Sequence, residues 1–189
     1  FPGLALDLDL GADRSRDTLV RLFDGIQVDI VAGGPPCQPF SRAGRSKIQR
    51  LVDAGLRSGI DERRELWSAF LDVALRLSPR AILMENVPDM ALGDDFRVIR
   101  CMTDELESAG YATMVRLVDA WQHGVPQHRK RLLRLARRDG HGFVWPESQS
   151  AITTVRESIS DLPHLGGGTG SRELAYVEVE GLSSFAARM

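Results

Sequence analysis

The chain has 189 residues, of which 43% are hydrophobic and 26% charged, a size and composition typical of one soluble globular domain. Its net charge of -2 argues against strong non-specific binding of the whole chain to nucleic acid. No apolar run is long enough to cross a bilayer, the first residues lack the basic region of a signal peptide, and only two cysteines are present, so we expect a cytoplasmic protein without a disulfide framework.

The beginning of the chain predicts a helix and a buried strand. Alternating Leu and Asp over residues 4–10 indicate a short strand, and Asp13 is placed to cap a helix that runs to about Phe23. The apolar run 28–32 predicts a buried strand. Residues 33–41 contain two glycines and three prolines, so they predict a rigid loop that continues neither a strand nor a helix.

Helices and strands alternate over most of the remaining chain. Residues 42–60 have little hydrophobic periodicity and predict a long loop. After it we expect a helix over 61–77, a strand over 81–85, a helix over 94–109, a strand over 111–118, a turn at 124–131, a strand over 132–136 and a short helix within 153–162. This alternation predicts an α/β domain with a mostly parallel sheet.

One position conflicts with that pattern. Arg134 interrupts the apolar run 132–136, and a charged side chain is costly in a strand that is covered on both faces. We therefore expect this strand to lie at an edge of the sheet or to have lost its usual neighbour.

A cysteine, Cys37, lies inside the rigid loop that follows the strand at 28–32. A thiol on a stiff turn at the end of a parallel strand is placed as a nucleophile would be, although a lone cysteine is more often a small buried hydrophobe. The order Gly-Gly-Pro-Pro-Cys-Gln-Pro-Phe-Ser over 33–41 favours the chemical role, because it resembles the catalytic loop of the cytosine-5 DNA methyltransferases.

Two further segments are similar to motifs of the same family and occur in its order. Residues 82–88 end an apolar strand with Glu-Asn-Val-Pro and resemble the family's Glu-Asn-Val motif, and residues 124–131 resemble its Gln-x-Arg-x-Arg motif. The three matches imply a partial Rossmann-like, S-adenosylmethionine-dependent methyltransferase fold over residues 1–165. Residues 166–189 would be a Gly-rich linker and the start of a missing target-recognition region.

The resemblance implies covalent chemistry on a cytosine that is flipped out of the DNA. Cys37 would add to carbon-6 and make carbon-5 nucleophilic towards a methyl group. Glu85 would hydrogen-bond ring nitrogen 3, with its carboxyl protonated or sharing a proton. Arg131 would contact the base carbonyl or support the cysteine loop, and Arg129 would orient Glu85, because a bidentate guanidinium suits both tasks.

Other side chains of these motifs receive smaller roles or none. We expect Asn86 and Gln127 to hold loops through hydrogen bonds. No role is assigned to His123 or His128, because a surface or structural histidine is the more common case.

The same resemblance implies S-adenosylmethionine as the methyl donor and double-stranded DNA as the partner. The family's Gly-rich opening motif and its ribose-binding acid are missing, so the cofactor site is expected to comprise Asp9, Leu10, Pro36 and Leu66. The basic loop after the cysteine is expected to close over DNA, with contacts from Gln38, Ser41, Arg42, Arg45 and Lys47. We predict no metal site and no membrane partner.

Three alternatives stay open at this stage. A related branch of the family acts on tRNA with the same motifs, and the region that would choose the substrate is missing. The chain could also be a non-catalytic subunit that binds nucleic acid, or one part of a split enzyme. Because the fold is incomplete, a dimer or a complementing second chain is a further expectation. Restriction-modification, epigenetic marking and an orphan enzyme are not distinguished.

Overall fold

The computed structural model of the chain describes residues 5–36, 66–91, 96–149, 152–163, 165–168, 170, 171 and 173. The elements are α1 (Asp13–Arg21), β1 (Ile30–Gly33), α2 (Leu66–Leu77), β2 (Ala81–Asn86), α3 (Phe96–Ser108), β3 (Ala112–Asp119), β4 (Lys130–Arg137) and α4 (Val155–Ile159), with short 3-10 helices at Pro88–Ala91 and Ala120–His123. The predicted helices and strands within these ranges are present, apart from the strand over 4–10. The strand at 28–32 is not buried as expected, because β1 lies at the edge of the described sheet and 65% of Ile30 is exposed. Asp13 is the first residue of α1 and not its cap, because Ala12 holds the N-cap position and no described side chain caps the helix there. The predicted loop over 42–60 lies outside the described residues.

The four strands form one mixed sheet in the order β1-β2-β4-β3. β1 and β2 are parallel, with Gly33 opposite Met84, whereas β2 and β4 are antiparallel, with Glu85 opposite Leu133. The α/β class is confirmed, but the sheet is less parallel than expected. The segment 120–129 is shorter than the dozen or so residues that a parallel crossover requires, so β4 enters in the reverse direction.

The hydrophobic core lies on the face of the sheet that α2 and α3 cover. Alternate residues of a strand share a face, and Ile82 and Met84 of β2 are buried together with Leu132 and Ala136 of β4. The helices complete this core with Leu71, Ala74, Ile99, Met102 and Leu106. Burial of these side chains, spaced three or four residues apart on each helix, fixes the helices to one side of β2 and β4.

Arg134 lies on the same face as this core, and only 1% of it is exposed. β4 is flanked by β2 and β3, so the expectation of an edge strand or a lost neighbour is wrong. The guanidinium is held by α3 instead: it donates to the hydroxyl of Thr103 at 2.8 Å and to the carbonyl oxygen of Ile99 at 2.7 Å. Burial lowers the pKa of Arg134 to about 10, against the opposing attraction of Glu107, so the side chain stays charged at neutral pH.

Residues 5–10 do not form the predicted strand. The side chain of Asp9 accepts the backbone N–H of Gly11 at 2.9 Å, and its carbonyl oxygen accepts the N–H of Ala12 at 3.1 Å. These two bonds turn the chain directly into α1, because a carboxylate that binds the backbone two residues on favours a turn over a strand.

The described residues divide into two compact units. The first takes residues 1–117 and 131–144, and the second takes 118–130 and 145–189. The predicted boundary at residue 165 stays a prediction. No helix in the described ranges has the length and apolarity to span a membrane.

Candidate active site

The cysteine loop enters the described structure only through its first four residues, Gly33–Pro36. Cys37 and the expected DNA contacts Gln38, Ser41, Arg42, Arg45 and Lys47 lie outside the described residues. The start of the loop is nevertheless placed by its neighbours, because β1 ends beside the end of β2.

The two glycines of the loop lie close to side chains of neighbouring elements. A Cβ at Gly33 would lie 2.5 Å from the ring of Phe70 on α2, which is closer than two carbon atoms approach. A Cβ at Gly34 would lie 3.3 Å from Oε2 of Glu85. The Gly-Gly pair therefore lets a helix and a carboxylate approach the backbone that leads to Cys37.

Asn86 ties the end of β2 to the same loop. Its side chain is buried, and Nδ2 donates to the carbonyl oxygen of Pro35 at 3.4 Å, while Oδ1 accepts the N–H of Val87 at 2.9 Å. The expectation that Asn86 holds a loop through hydrogen bonds is confirmed. The ends of β1 and β2 thus bring Glu85 to the base of the cysteine loop.

Glu85 forms an ion pair with Arg131, with Nε of Arg131 2.5 Å from Oε1 of Glu85. The side chains are 44% and 25% exposed, so the pair is reachable by a ligand without being fully solvated. We expected Arg129 to orient Glu85, whereas in the described structure the arginine that meets this carboxylate is Arg131. The reason is the register, since Arg131 lies two residues before Leu133 on the same face of β4.

Arg129 lies in the second unit, where two hydrogen bonds hold its backbone. Its N–H donates to Oδ1 of Asp119 at 2.9 Å, and its carbonyl oxygen accepts the N–H of Ala120 at 3.1 Å. The side chain of Asp119 also meets Nδ1 of His128 at 3.3 Å. The sequence analysis did not single out Asp119, because nothing in the sequence distinguishes a buried acid at the end of a strand from a solvent-exposed one.

The expected cofactor residues at the start of the chain lie close to the first residue of α2. A Cβ at Gly11 would meet Oδ1 of Asp9 at 3.0 Å and Cδ2 of Leu66 at 3.5 Å, so Asp9, Leu10 and Leu66 belong to one small region. Pro36 is exposed at the end of the described loop segment, and no described contact joins it to the other three.

Arg16 holds this region together and was also missed by the sequence analysis. Its Nη1 donates to the carbonyl oxygens of Leu10 at 2.7 Å and Gly11 at 3.1 Å, and its Nε donates to Asp72 on α2 at 2.9 Å. One guanidinium therefore joins α1, α2 and the turn at Asp9. The sequence does not indicate this role, because Arg16 looks like any other polar residue of an amphipathic helix.

The region around Asp9 suits part of an S-adenosylmethionine site. A carboxylate that is held at a turn can accept from an adenine amine, and a leucine side chain can cover a ring face. Asp9 is exposed, so its carboxylate is accessible to a ligand. The carboxylate and the leucine side chains of this region therefore fit the adenine end of the cofactor.

Comparison with known proteins places these motifs in one family. The family model for C-5 cytosine-specific DNA methylases matches residues 11–169. The HphI type II methyltransferase of Haemophilus parahaemolyticus is 33% identical over 83% of this chain and 40% of that protein. The NaeI type II methyltransferase of Lentzea aerocolonigenes is 30% identical over 91% of this chain and 40% of that protein. The chain therefore spans about two fifths of the length of these relatives.

Solved structures support the same fold. A crystal structure described as a DNA modification methyltransferase encoded within an E. coli prophage matches with a TM-score of 0.58 and 23% identity, over 79% of this chain and 39% of that one. A methyltransferase of Entamoeba histolytica matches with a TM-score of 0.50 and 18% identity, over 80% of this chain and 43% of that one. The match of the family model over most of the chain, together with these folds, shows that the chain belongs to the C-5 cytosine-specific DNA methylase family, whose methyltransferases use S-adenosylmethionine.

Proposed function

We propose that this chain carries the catalytic centre of a DNA cytosine-5 methyltransferase that acts through a covalent adduct of Cys37. The observation that best supports the proposal is the ion pair of Glu85 with Arg131, 2.5 Å long, at the base of the loop that leads to Cys37. Gly34 lies against Glu85, and Asn86 bonds the same loop, so the nucleophile's loop and the acid's strand are joined at one place.

The target carbon requires a nucleophile because carbon-5 of an aromatic cytosine is unreactive. The base is first flipped out of the duplex, at a cost of about a few kcal/mol. The Cys37 thiolate then adds to carbon-6, and the electron pair of the 5,6 double bond becomes available at carbon-5. S-adenosylmethionine, when bound, supplies the electrophilic methyl group. A water molecule finally takes the carbon-5 proton, the electron pair of that bond re-forms the 5,6 double bond, and the Cys37 thiolate is expelled.

Glu85 and Arg131 act on the opposite edge of the ring. Addition at carbon-6 places negative charge on ring nitrogen 3, which a proton shared with the Glu85 carboxyl neutralises. Arg131 fixes the direction of that carboxyl and, as a permanent cation, stabilises the charge that develops on the base. By resemblance, Arg129 is assigned to the same centre, where it helps to orient Glu85.

The cofactor and the DNA contact different residues of the chain. Asp9, Leu10, Pro36 and Leu66 are assigned to S-adenosylmethionine, and Gln38, Ser41, Arg42, Arg45 and Lys47 to the DNA. The relatives are named as type II methyltransferases, so we propose a restriction-modification setting. The remaining part of the relatives' length is proposed to complete the cofactor site and to read the target sequence, on this chain or on a complementing one.

The test is transfer of labelled methyl from S-adenosylmethionine to duplex DNA, with tRNA as the parallel substrate. Cys37→Ser is the inactive variant, and Cys101→Ser, which changes an exposed cysteine of α3, is its matched control. We expect transfer to DNA with the wild type and the control only. Transfer that survives Cys37→Ser, or that is confined to tRNA, contradicts the proposal.

A duplex that contains 5-fluorocytosine tests the covalent step directly. Fluorine at carbon-5 cannot leave as a proton does, so the final elimination is blocked and the adduct accumulates. We expect a complex that survives denaturation and whose peptide map places the base on Cys37. Turnover on ordinary duplex without any such complex argues for a non-covalent route.

A further inference from the structure

Asp119, the last residue of β3, is a nearly buried carboxylate that holds the start of β4. Its side chain is 9% exposed; Oδ1 accepts the N–H of Arg129 at 2.9 Å, and Oδ2 lies 3.3 Å from Nδ1 of His128. Burial works against its ionisation, but hydrogen bonds from His128 and from the N–H groups of Arg129 and Trp121 outweigh that effect and hold the pKa of Asp119 below its usual value. The carboxylate is therefore ionised at neutral pH.

An ionised carboxylate determines which nitrogen of His128 carries the proton. A carboxylate only accepts hydrogen bonds, so Nδ1 of His128 must donate to it. In the neutral ring Nε2 then holds a lone pair and no hydrogen. Nε2 becomes a donor only when the ring takes up a second proton and becomes a cation.

The ring of His128 is also held in place by an aromatic neighbour. Its centroid lies 4.5 Å from that of Trp121, with the planes inclined by 47°. The side chain is still 73% exposed. Because Nδ1 is turned to Asp119, Nε2 is the ring nitrogen that remains to meet a ligand.

The exposed side chains of this segment form a cationic surface. His128, Arg129 and Lys130 are consecutive and exposed, whereas Asp119, which bonds this segment, is nearly buried. The 3-10 helix against which the ring packs contributes Trp121 and one titratable residue, His123. Such a surface suits an anion, and in a DNA-modifying family the abundant anion is a backbone phosphate.

We propose that His128 binds a phosphate of the nucleic acid through Nε2, and that Asp119 makes this contact available only when the imidazole is protonated. The identity of the ligand in this inference rests on the proposed function. The position of the proton on His128 rests on the described hydrogen bonds, and it can be measured without any DNA.

The proton position is tested first, by two-dimensional nitrogen-15 NMR of the histidine side chains in the chain alone. We expect neutral His128 to carry its proton on Nδ1, against the usual preference of free histidine for Nε2. In Asp119→Asn the amide oxygen still accepts from Arg129, and the amide nitrogen faces Nδ1 as a donor, so the proton should move to Nε2. Wild-type His128 with its proton on Nε2 overturns the proposal.

The phosphate contact is tested by the salt dependence of binding to a labelled DNA duplex at pH 5.5 and pH 8. We expect the slope of log affinity against log salt to be steeper by about one at the lower pH, the value for one additional phosphate contact. His128→Gln should lose most of this difference. His141→Gln, which changes an exposed histidine of the first unit, should retain it.

The outcomes separate the two proposals. Absence of DNA binding at either pH contradicts the DNA contacts proposed for this chain, and the phosphate contact of His128 with them. Binding with the same change of slope in His128→Gln as in the wild type contradicts the phosphate contact while leaving the proposed function intact.

Discussion

Arg131 meets Glu85 because β4 runs antiparallel to β2 and places Leu133 opposite Glu85. Arg131 lies two residues before Leu133 on the same face, so its guanidinium reaches back to the carboxylate across one strand spacing. A shift of one residue in this register would turn Arg131 to the other face of the sheet. The buried side chains of Leu132 and Ala136 prevent that shift, so the hydrophobic core determines the geometry of the candidate site.

Arg131→Lys is expected to lower kcat for methyl transfer about 100-fold or more, with a smaller effect on cofactor binding. Lysine keeps the charge but loses the planar fork that both orients Glu85 and faces the base. Steady-state kinetics on duplex DNA measures the effect. Arg137→Lys is the control on the same strand, because Arg137 pairs with Asp139 at the far end of β4. Equal kcat in the two variants would count against a role for Arg131 in the reaction.

Gly33→Ala is expected to destabilise the fold by about 1–3 kcal/mol, because the added methyl group meets the ring of Phe70 at 2.5 Å. Urea unfolding of the chain measures the free energy. The double variant Gly33→Ala with Phe70→Leu should recover part of the loss, since the smaller side chain leaves room for the methyl group. Gly140→Ala is a poor control because its φ is 70°, and Gly142→Ala, with open space around it, is the suitable one.

Arg134→Met and Arg134→Ala are expected to differ strongly. Methionine refills the volume and removes the cost of a buried charge, so its free energy of unfolding should lie within about 1.5 kcal/mol of the wild type. Alanine leaves a cavity and should lose about 2–5 kcal/mol. The carbonyl oxygen of Ile99 keeps a partner in both variants, because the hydroxyl of Thr103 donates to it at 2.9 Å. The free energy of unfolding is measured by chemical denaturation. Equal losses in the two variants would mean that the hydrogen bonds of Arg134, and not its volume, hold β4 to α3.

Asp9→Ala is expected to weaken S-adenosylmethionine binding about tenfold, which corresponds to the loss of roughly one hydrogen bond to a charged group. Isothermal calorimetry on the chain measures the affinity. Asp7→Ala changes an exposed acid two residues earlier and serves as the control. Asp9→Asn preserves the bond to the N–H of Gly11, so it separates the shape of the turn from direct contact with the cofactor. Unchanged affinity in Asp9→Ala contradicts the assignment.

Local patterns in the sequence predicted most helices and strands and the family. The motifs at 33–41, 82–88 and 124–131 identified the chemistry, because a Pro-rich cysteine loop and the two companion segments serve few other purposes. Periodicity located α2, β2, α3 and β4, since burial of one face leaves a record in the order of residues. These features depend on residues that are close together in the chain, so they can be recognised from the order of residues alone.

Long-range pairing decided the features that the sequence could not supply. Arg131 meets Glu85 because of a strand register that depends on the whole core. Arg134 is buried at a hydroxyl and a carbonyl of α3 that lie about thirty residues away in the chain. Asp119 and Arg16 each fix their own segment through bonds to backbone groups, which every residue carries and no residue letter distinguishes. A sequence specifies which side chains are available, and only the packing of the strands and helices decides which of them meet.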